Sequence, residues 1–150
     1  MFTIIVPVDG SENSTRVVEF LLSHLALYKA QPAIRLLHVV RPIASGNIKH
    51  FIGHDEIARY YQDEGTTALQ GARTVLGSAH VPYSFDVEVG EPGDVIARYA
   101  ADKQADLIVM GTRGMGSVSA MFMGSVAAKV AHLASAPVLL VKGGEHPGHA

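Results

Sequence analysis

The chain has 150 residues, 48% of them hydrophobic and 17% charged, with a formal net charge of −2 at pH 7. That is the length of one domain, apolar enough to bury a real core and too apolar to be disordered over most of its length. The slight negative charge argues against a duplex nucleic-acid surface, and the absence of cysteine excludes disulfides, thiolate metal sites and a thiol nucleophile.

Met1 to Val6 is apolar but lacks a basic n-region, and Asp9 interrupts it, so a strand is expected there rather than a signal peptide. No apolar run approaches bilayer length, and a soluble cytoplasmic domain is the expectation. Thr3 to Asp9 reads as the first strand, its nearly continuous apolar character suiting burial on both faces. Ser11 or Asn13 is placed to cap a helix in which Val17, Leu21 and Leu25 make one stripe, widened by Val18 and Leu22. Ala33 to Val40 is a second strand. Arg41 to Asp55, with Pro42, Gly46 and Gly53, is the longest loop.

From about Asp55 to Leu76 a second helix is expected, with Ala58, Tyr61, Ala68, Leu69, Ala72 and Leu76 toward the core, although Gly65 and Gly71 weaken the pattern. Tyr83 to Val89 is a third strand. Gly90-Glu91-Pro92-Gly93 turns into a helix with proline near its first position, carrying Val95, Ile96, Tyr99 and Ala100. Leu107 to Met110 and Pro137 to Val141 are the fourth and fifth strands, with a helical pattern from Val126 to Leu133 between them. Residues 1–142 then form one domain, and the Gly/His/Pro-rich stretch from Gly143 to Ala150 a flexible tail. Strands alternating with helices predict an α/β fold, an open five-stranded parallel sheet with helices on both faces. Ligands of such sheets bind beyond the carboxyl ends of the strands, where the strand order reverses.

The most informative segment follows the fourth strand. Gly111-Thr112-Arg113-Gly114 is followed by nine residues, Met115 to Met123, and then by Gly124-Ser125 at a helix start. Glycine lets the chain approach an anion closely, and the first amides of a helix are unpaired donors with partial positive charge. Ser125 adds a hydroxyl and Arg113 the loop's only cation, able to fork onto phosphate oxygens. The segment is read as a nucleotide-phosphate cradle. It is not a Walker loop, because Ser117 stands where the lysine must be, and no G-x-G-x-x-G occurs.

Three features together resemble the universal stress protein family in its nucleotide-binding branch: Pro7-Val8-Asp9-Gly10-Ser11, Leu36-Leu37-His38-Val39-Val40, and the G-x2-G-x9-G-S/T pattern at Gly111, Gly114, Gly124 and Ser125. Pro137 to Val141 suits the family's last strand. The resemblance implies a Rossmann-like, adenine nucleotide alpha hydrolase-like sheet with strand order 3-2-1-4-5. It implies that Asp9 accepts hydrogen bonds from ribose hydroxyls and that Val39 offers its backbone to the adenine edge, with Pro7 and Val8 lining the base pocket. Met110 and Gly111 would lie along the ribose and α-phosphate; Arg113, Gly114, Gly124, Ser125 and Val126 would face the polyphosphate. ATP, accompanied by Mg²⁺ held mostly by phosphate and water, is the implied ligand. A homodimer paired through Val138 to Val141 is the implied assembly.

Other constellations are weaker. His50-Phe51-Ile52-Gly53-His54 has one residue too many for an H-x-G-H signature and follows the wrong strand; metal binding by His50, His54 and Asp55 is a minor reading. His38, in an apolar strand, is expected to be a hydrogen-bonded core or pocket histidine. A phosphoacceptor receiver is excluded because the third strand closes on Val89-Gly90 without an acceptor aspartate. Flavin binding is disfavoured by Glu12-Asn13 in the first loop. Glycines, Ser125 and Arg113 hold phosphate better than they cleave it. The expected function is therefore an ATP-binding regulatory homodimer in stress response, read by a protein partner. The residues Met115, Val118, Met121 and Phe122 are candidates for the surface read by that partner. The alternatives are a slow Mg²⁺-dependent ATPase, or a partner-binding dimer using AMP, a cyclic nucleotide or no ligand.

Overall fold

A computed structural model describes residues 1–43, 53–113 and 123–143. The expectations placed on residues 44–52, on Gly114 and Met115 to Phe122, and on the tail from residue 144 lie outside the described residues. The strands are β1 (Thr3–Pro7), β2 (Ala33–Val40), β3 (Tyr83–Val89), β4 (Leu107–Gly111) and β5 (Val138–Val141). Between them lie α1 (Glu12–Ser23), a 3-10 turn at Leu25–Leu27, α2 (His54–Ser78), α3 (Pro92–Asp102) and α4 (Ser125–Leu133). All strand pairs are parallel and the order is β3-β2-β1-β4-β5. The expected α/β class and order 3-2-1-4-5 are what the chain adopts.

The apolar character of the central strands β1, β2 and β4 is nearly continuous because each of them feeds two cores. Ile4, Val6, Ile34, Leu36 and Val109 face one side, where they meet Val17, Val18 and Leu21 of α1 and Leu69, Ala72 and Leu76 of α2. The alternate residues Ile5, Leu37, Ile108 and Met110 meet Ile96, Tyr99 and Ala100 of α3 and Ala127 and Val130 of α4. This is the period of 2 of a strand divided between two covered faces.

Some boundaries differ from expectation. β1 stops at Pro7, so Asp9 stands two residues beyond the ladder, and Leu25 belongs to the 3-10 turn rather than to α1. Ala58 is exposed, and the buried side of α2 is Gly65, Leu69, Ala72 and Leu76. Gly65, which weakened the helix pattern in sequence, is there for contact. A Cβ on it would lie 2.4 Å from Val87 Cγ2 and 3.0 Å from Val87 Cβ, so its missing side chain lets α2 approach the sheet.

On the other face of the β3 edge, the Tyr99 hydroxyl donates to the Asp86 carboxylate, and Arg35 Nη2 lies 3.8 Å from the same oxygen. Burial, then the bond to Asp86, pushes the Tyr99 phenol up to about 12.

Two stability tests follow from these contacts. Gly65→Ala should lower the free energy of unfolding by about 1–3 kcal/mol in denaturant titration, the overpacking against Val87 outweighing the helix-propensity gain. Gly77→Ala, in the same helix with nothing within 4 Å of the added Cβ, should be neutral or slightly stabilising. Tyr99→Phe should cost about 1 kcal/mol at neutral pH. Because the folded phenol's pKa lies above the unfolded value, its contribution is whole below about pH 10 and is lost as pH rises toward about 12. The difference between wild type and Tyr99→Phe should therefore shrink over that interval.

Candidate functional site

Beyond the carboxyl ends of β1 and β4 opens a cleft of about 720 Å³. It is lined by Pro7 at the end of β1 and Val8 and Asp9 just after it, by Leu37, His38 and Val39 of β2 with Arg41 beyond it, and by Met110 and Gly111 of β4 with Thr112 and Arg113 beyond it. The start of α4 closes one end with Met123, Gly124, Ser125, Val126 and Ala127, while Tyr60 and Glu64 of α2 and Pro92 and Ile96 of α3 form the flanks. The structure thus brings Pro7, Val8, Asp9, Val39, Met110, Gly111, Arg113, Gly124, Ser125 and Val126 together around one space.

Asp9 is held by a local network. Its Oδ1 accepts from the Ser11 amide at 2.9 Å, the Ser11 hydroxyl at 2.5 Å and the Ser14 hydroxyl at 2.7 Å. Ser14 Oγ also accepts the Asp9 amide at 2.9 Å, so one buried hydroxyl both donates and accepts. This corrects the role expected of Ser11. It occupies the N-cap position of α1 without a side-chain capping bond, its hydroxyl being used on Asp9. Gly10 makes the turn possible with φ of +87°, and a Cβ there would meet Ala68 Cα at 3.3 Å.

His38 is buried, and its Nδ1 lies 2.6 Å from the Val8 carbonyl oxygen. A carbonyl only accepts, so Nδ1 carries the proton and the ring is a hydrogen-bonded pocket histidine. Its Nε2 is buried without a hydrogen-bond partner among the described residues.

At the far end, α4 starts on Gly124 in extended conformation with no side-chain cap. The Gly124 amide donates to the Thr112 carbonyl at 2.5 Å, tying β4's exit to the helix entry. The first intrahelical bond runs from the Ala128 amide to the Gly124 carbonyl at 3.0 Å. The amides of Ser125, Val126 and Ala127 therefore lack helical partners, and these residues line the cleft at the positive end of the helix dipole. Such a terminus suits an anion.

Two cationic side chains line the cleft. Arg41 pairs with Glu91 at 2.7 Å across the rim, both side chains more than half exposed. The other, Arg113, has Nη2 3.0 Å from where a Gly143 Cβ would sit, and its Nε is buried without a hydrogen-bond partner among the described residues. Arg113 thus reaches toward the start of the tail as well as lining the cleft. Among the described residues no group of three or more His, Cys, Asp or Glu could hold a metal ion, and His54 and Asp55 are exposed at the start of α2.

Sequence reasoning missed Arg41, Tyr60, Glu64, Pro92, Thr112 and Ala127. Arg41 and Thr112 were findable, since each directly follows a strand end at the carboxyl edge. Tyr60 and Glu64 carried no signal, because nothing in the spacing says which side of a long helix overlooks a cleft.

The universal stress protein family profile matches residues 1–142. Universal stress protein YxiE of Bacillus subtilis is 32% identical over 148 residues, covering 93% of this chain and 97% of that protein. The solved structure of MJ0577 from Methanocaldococcus jannaschii superposes with a TM-score of 0.80 at 23% identity, over 97% of this chain and 98% of that one. A universal stress protein solved in complex with cAMP superposes with a TM-score of 0.68 at 25% identity, over 93% of this chain and 96% of that one. No helix among the described residues is long and apolar enough to cross a membrane. With a family profile across nearly its whole length and a close-length relative, the chain belongs to the universal stress protein family.

Proposed function

We propose that the chain binds an adenine nucleotide in the cleft above β1 and β4 and acts as a regulatory homodimer. The observation that carries this reading is the pairing of an oriented carboxylate, Asp9, with an uncapped helix start, Gly124 to Val126, across one space. The carboxylate suits ribose hydroxyls and the helix amides suit phosphate. Pro7, Val8, Val39 and Met110 supply apolar wall for a base. Arg113 and Gly114 complete the phosphate end of this reading.

ATP with Mg²⁺ is the ligand proposed, the ion being held by phosphate oxygens and water, since the protein offers it no ligand cluster among the described residues. Bound Mg²⁺ would supply charge neutralisation. The described cleft residues include no lysine, which favours holding the nucleotide over cleaving it. The relative solved with cAMP supports a second ligand reading, AMP or a cyclic nucleotide at the same site.

For the dimer, the support is an edge. β5 ends the sheet, and Leu139 on it and Leu133 on α4 are 39% and 46% exposed. Pairing of Val138–Val141 with its symmetry mate would satisfy the open ladder and cover these side chains.

Nucleotide binding is tested by mass spectrometry of small molecules released on denaturing fresh protein, with equilibrium dialysis of adenosine, AMP and ATP with Mg²⁺. Ser125→Ala should weaken ATP about fivefold and leave adenosine nearly unchanged, whereas Asp9→Ala should weaken all three about tenfold or more. Wild-type protein that neither releases nor binds an adenine compound sinks the reading. The assembly is tested by sedimentation: wild type should run as a dimer and Leu139→Lys as a monomer, while a monomeric wild type removes the β5 interface.

A further inference from the structure

We propose that Tyr60 is the stacking platform for the nucleobase, an aromatic wall at the mouth of the cleft; this rests on the adenine-nucleotide reading. Tyr60 is 52% exposed and lies on the flank of α2, away from the stripe Gly65, Leu69, Ala72 and Leu76 that packs on the sheet. It lines the main cleft and also a smaller recess beside it, and so do Asp9 and Glu64, so these three form the boundary between the two spaces. Tyr60, Glu64 and Ala68 recur every four residues, one stripe of the helix. A Cβ on Gly10 would meet Ala68 Cα at 3.3 Å, and Ala68 lines the smaller recess with Asp9 and Gly10, which sets that stripe alongside the carboxylate assigned to ribose.

The ring's position is supported from behind. Tyr60 and Tyr61 have centroids 5.8 Å apart and tilted by 59°. The Tyr61 phenol oxygen accepts the Ile43 amide at 3.0 Å, which ties this turn of α2 to the chain leaving β2. The other exposed aromatic rings among the described residues, Phe2 and Phe85, do not line the cleft. Phe85 lies under Arg73, 4.2 Å from its guanidinium, and Phe2 packs on Tyr28 at 5.4 Å. Tyr60 instead faces a cavity whose remaining base-end walls, Pro7, Val8, Val39 and Met110, are aliphatic. It supplies the π surface that a planar purine lacks on those walls. The hydroxyl can donate one hydrogen bond to a ribose or phosphate oxygen, whereas the ring face serves the base, and Tyr60→Phe separates the two.

Because the chain contains no tryptophan, Tyr60→Trp creates a single indole emitter. Its fluorescence should be quenched by adenosine, AMP and ATP alike. Tyr60→Ala should lose about tenfold in affinity for each of the three, with Tyr60→Phe close to wild type. Wild type that binds while Tyr60→Ala binds equally well, or emission that does not respond in the tryptophan variant, overturns the stacking role and leaves the nucleotide site standing. A loss confined to the phosphorylated ligands also overturns it. Wild type that binds none of the three removes the nucleotide reading, and the stacking role with it.

Discussion

The architecture turns on the reversal of strand order between β3 and β4. β1 and β4 are paired, Ile4 opposite Leu107 and Ile5 opposite Ile108, yet the helices that follow them pack on opposite faces of the sheet. No helix can roof the space beyond both strand ends, so the chain leaves a crevice there as a consequence of its order of elements. All strands being parallel, every following helix starts at this same edge. The partial positive charges of α1, α3 and α4 therefore gather around the crevice. Its preference for an anion precedes any particular side chain.

What the side chains add is orientation. The Asp9 carboxylate is fixed by Ser11 and Ser14, both at the start of α1, and the turn at Gly10 rests against Ala68 of α2. One short segment thus joins the end of β1 to two helices of the same core. A carboxylate placed in advance loses little freedom when a hydroxyl ligand arrives, which is how preorganisation raises affinity. The same economy governs the other end, where the Gly124 amide is used on Thr112 and the next three amides are left for the cleft.

Much of this was legible because the signals were of two robust kinds. Apolar runs nearly free of polar residues located the central strands β1 and β4, which are buried on both faces. β2 and β3 fell on the expected bounds although Arg35, His38, Ser84, Asp86 and Glu88 interrupt them, β3 as an alternating edge strand. Pro92 and the glycines around it marked the start of α3 correctly. Errors arose where a residue had two possible partners. Ser11 has a capping residue's position but gives its hydroxyl to Asp9, a choice decided by a turn that spacing does not encode. Ala58 follows the helical period yet is exposed, while Gly65, discounted for its propensity, is the residue on which α2 meets Val87. At Gly65 tertiary contact overrode propensity. The flanks of the cleft were the least visible part, because Tyr60 and Glu64 matter through the placement of a whole helix.

The two ends of the cleft rest on different physics, and this bears on which nucleotide the proposed site would take. At the base end the walls are apolar and the contribution scales with area removed from water. At the phosphate end the donors are backbone amides, supplemented by Arg113; the other cation lining the cleft, Arg41, already faces Glu91. Amide donors are directional and carry only partial charge, so they hold one phosphate group well but do not neutralise three. With Asp9 and Glu64 also in the lining, the described residues of the cleft carry no formal positive excess for a triphosphate. A monophosphate asks for little neutralisation, whereas ATP must bring its own cation. On the proposed reading the protein would fix adenosine and the first phosphate, and the availability of Mg²⁺ would decide how many more phosphates the site retains.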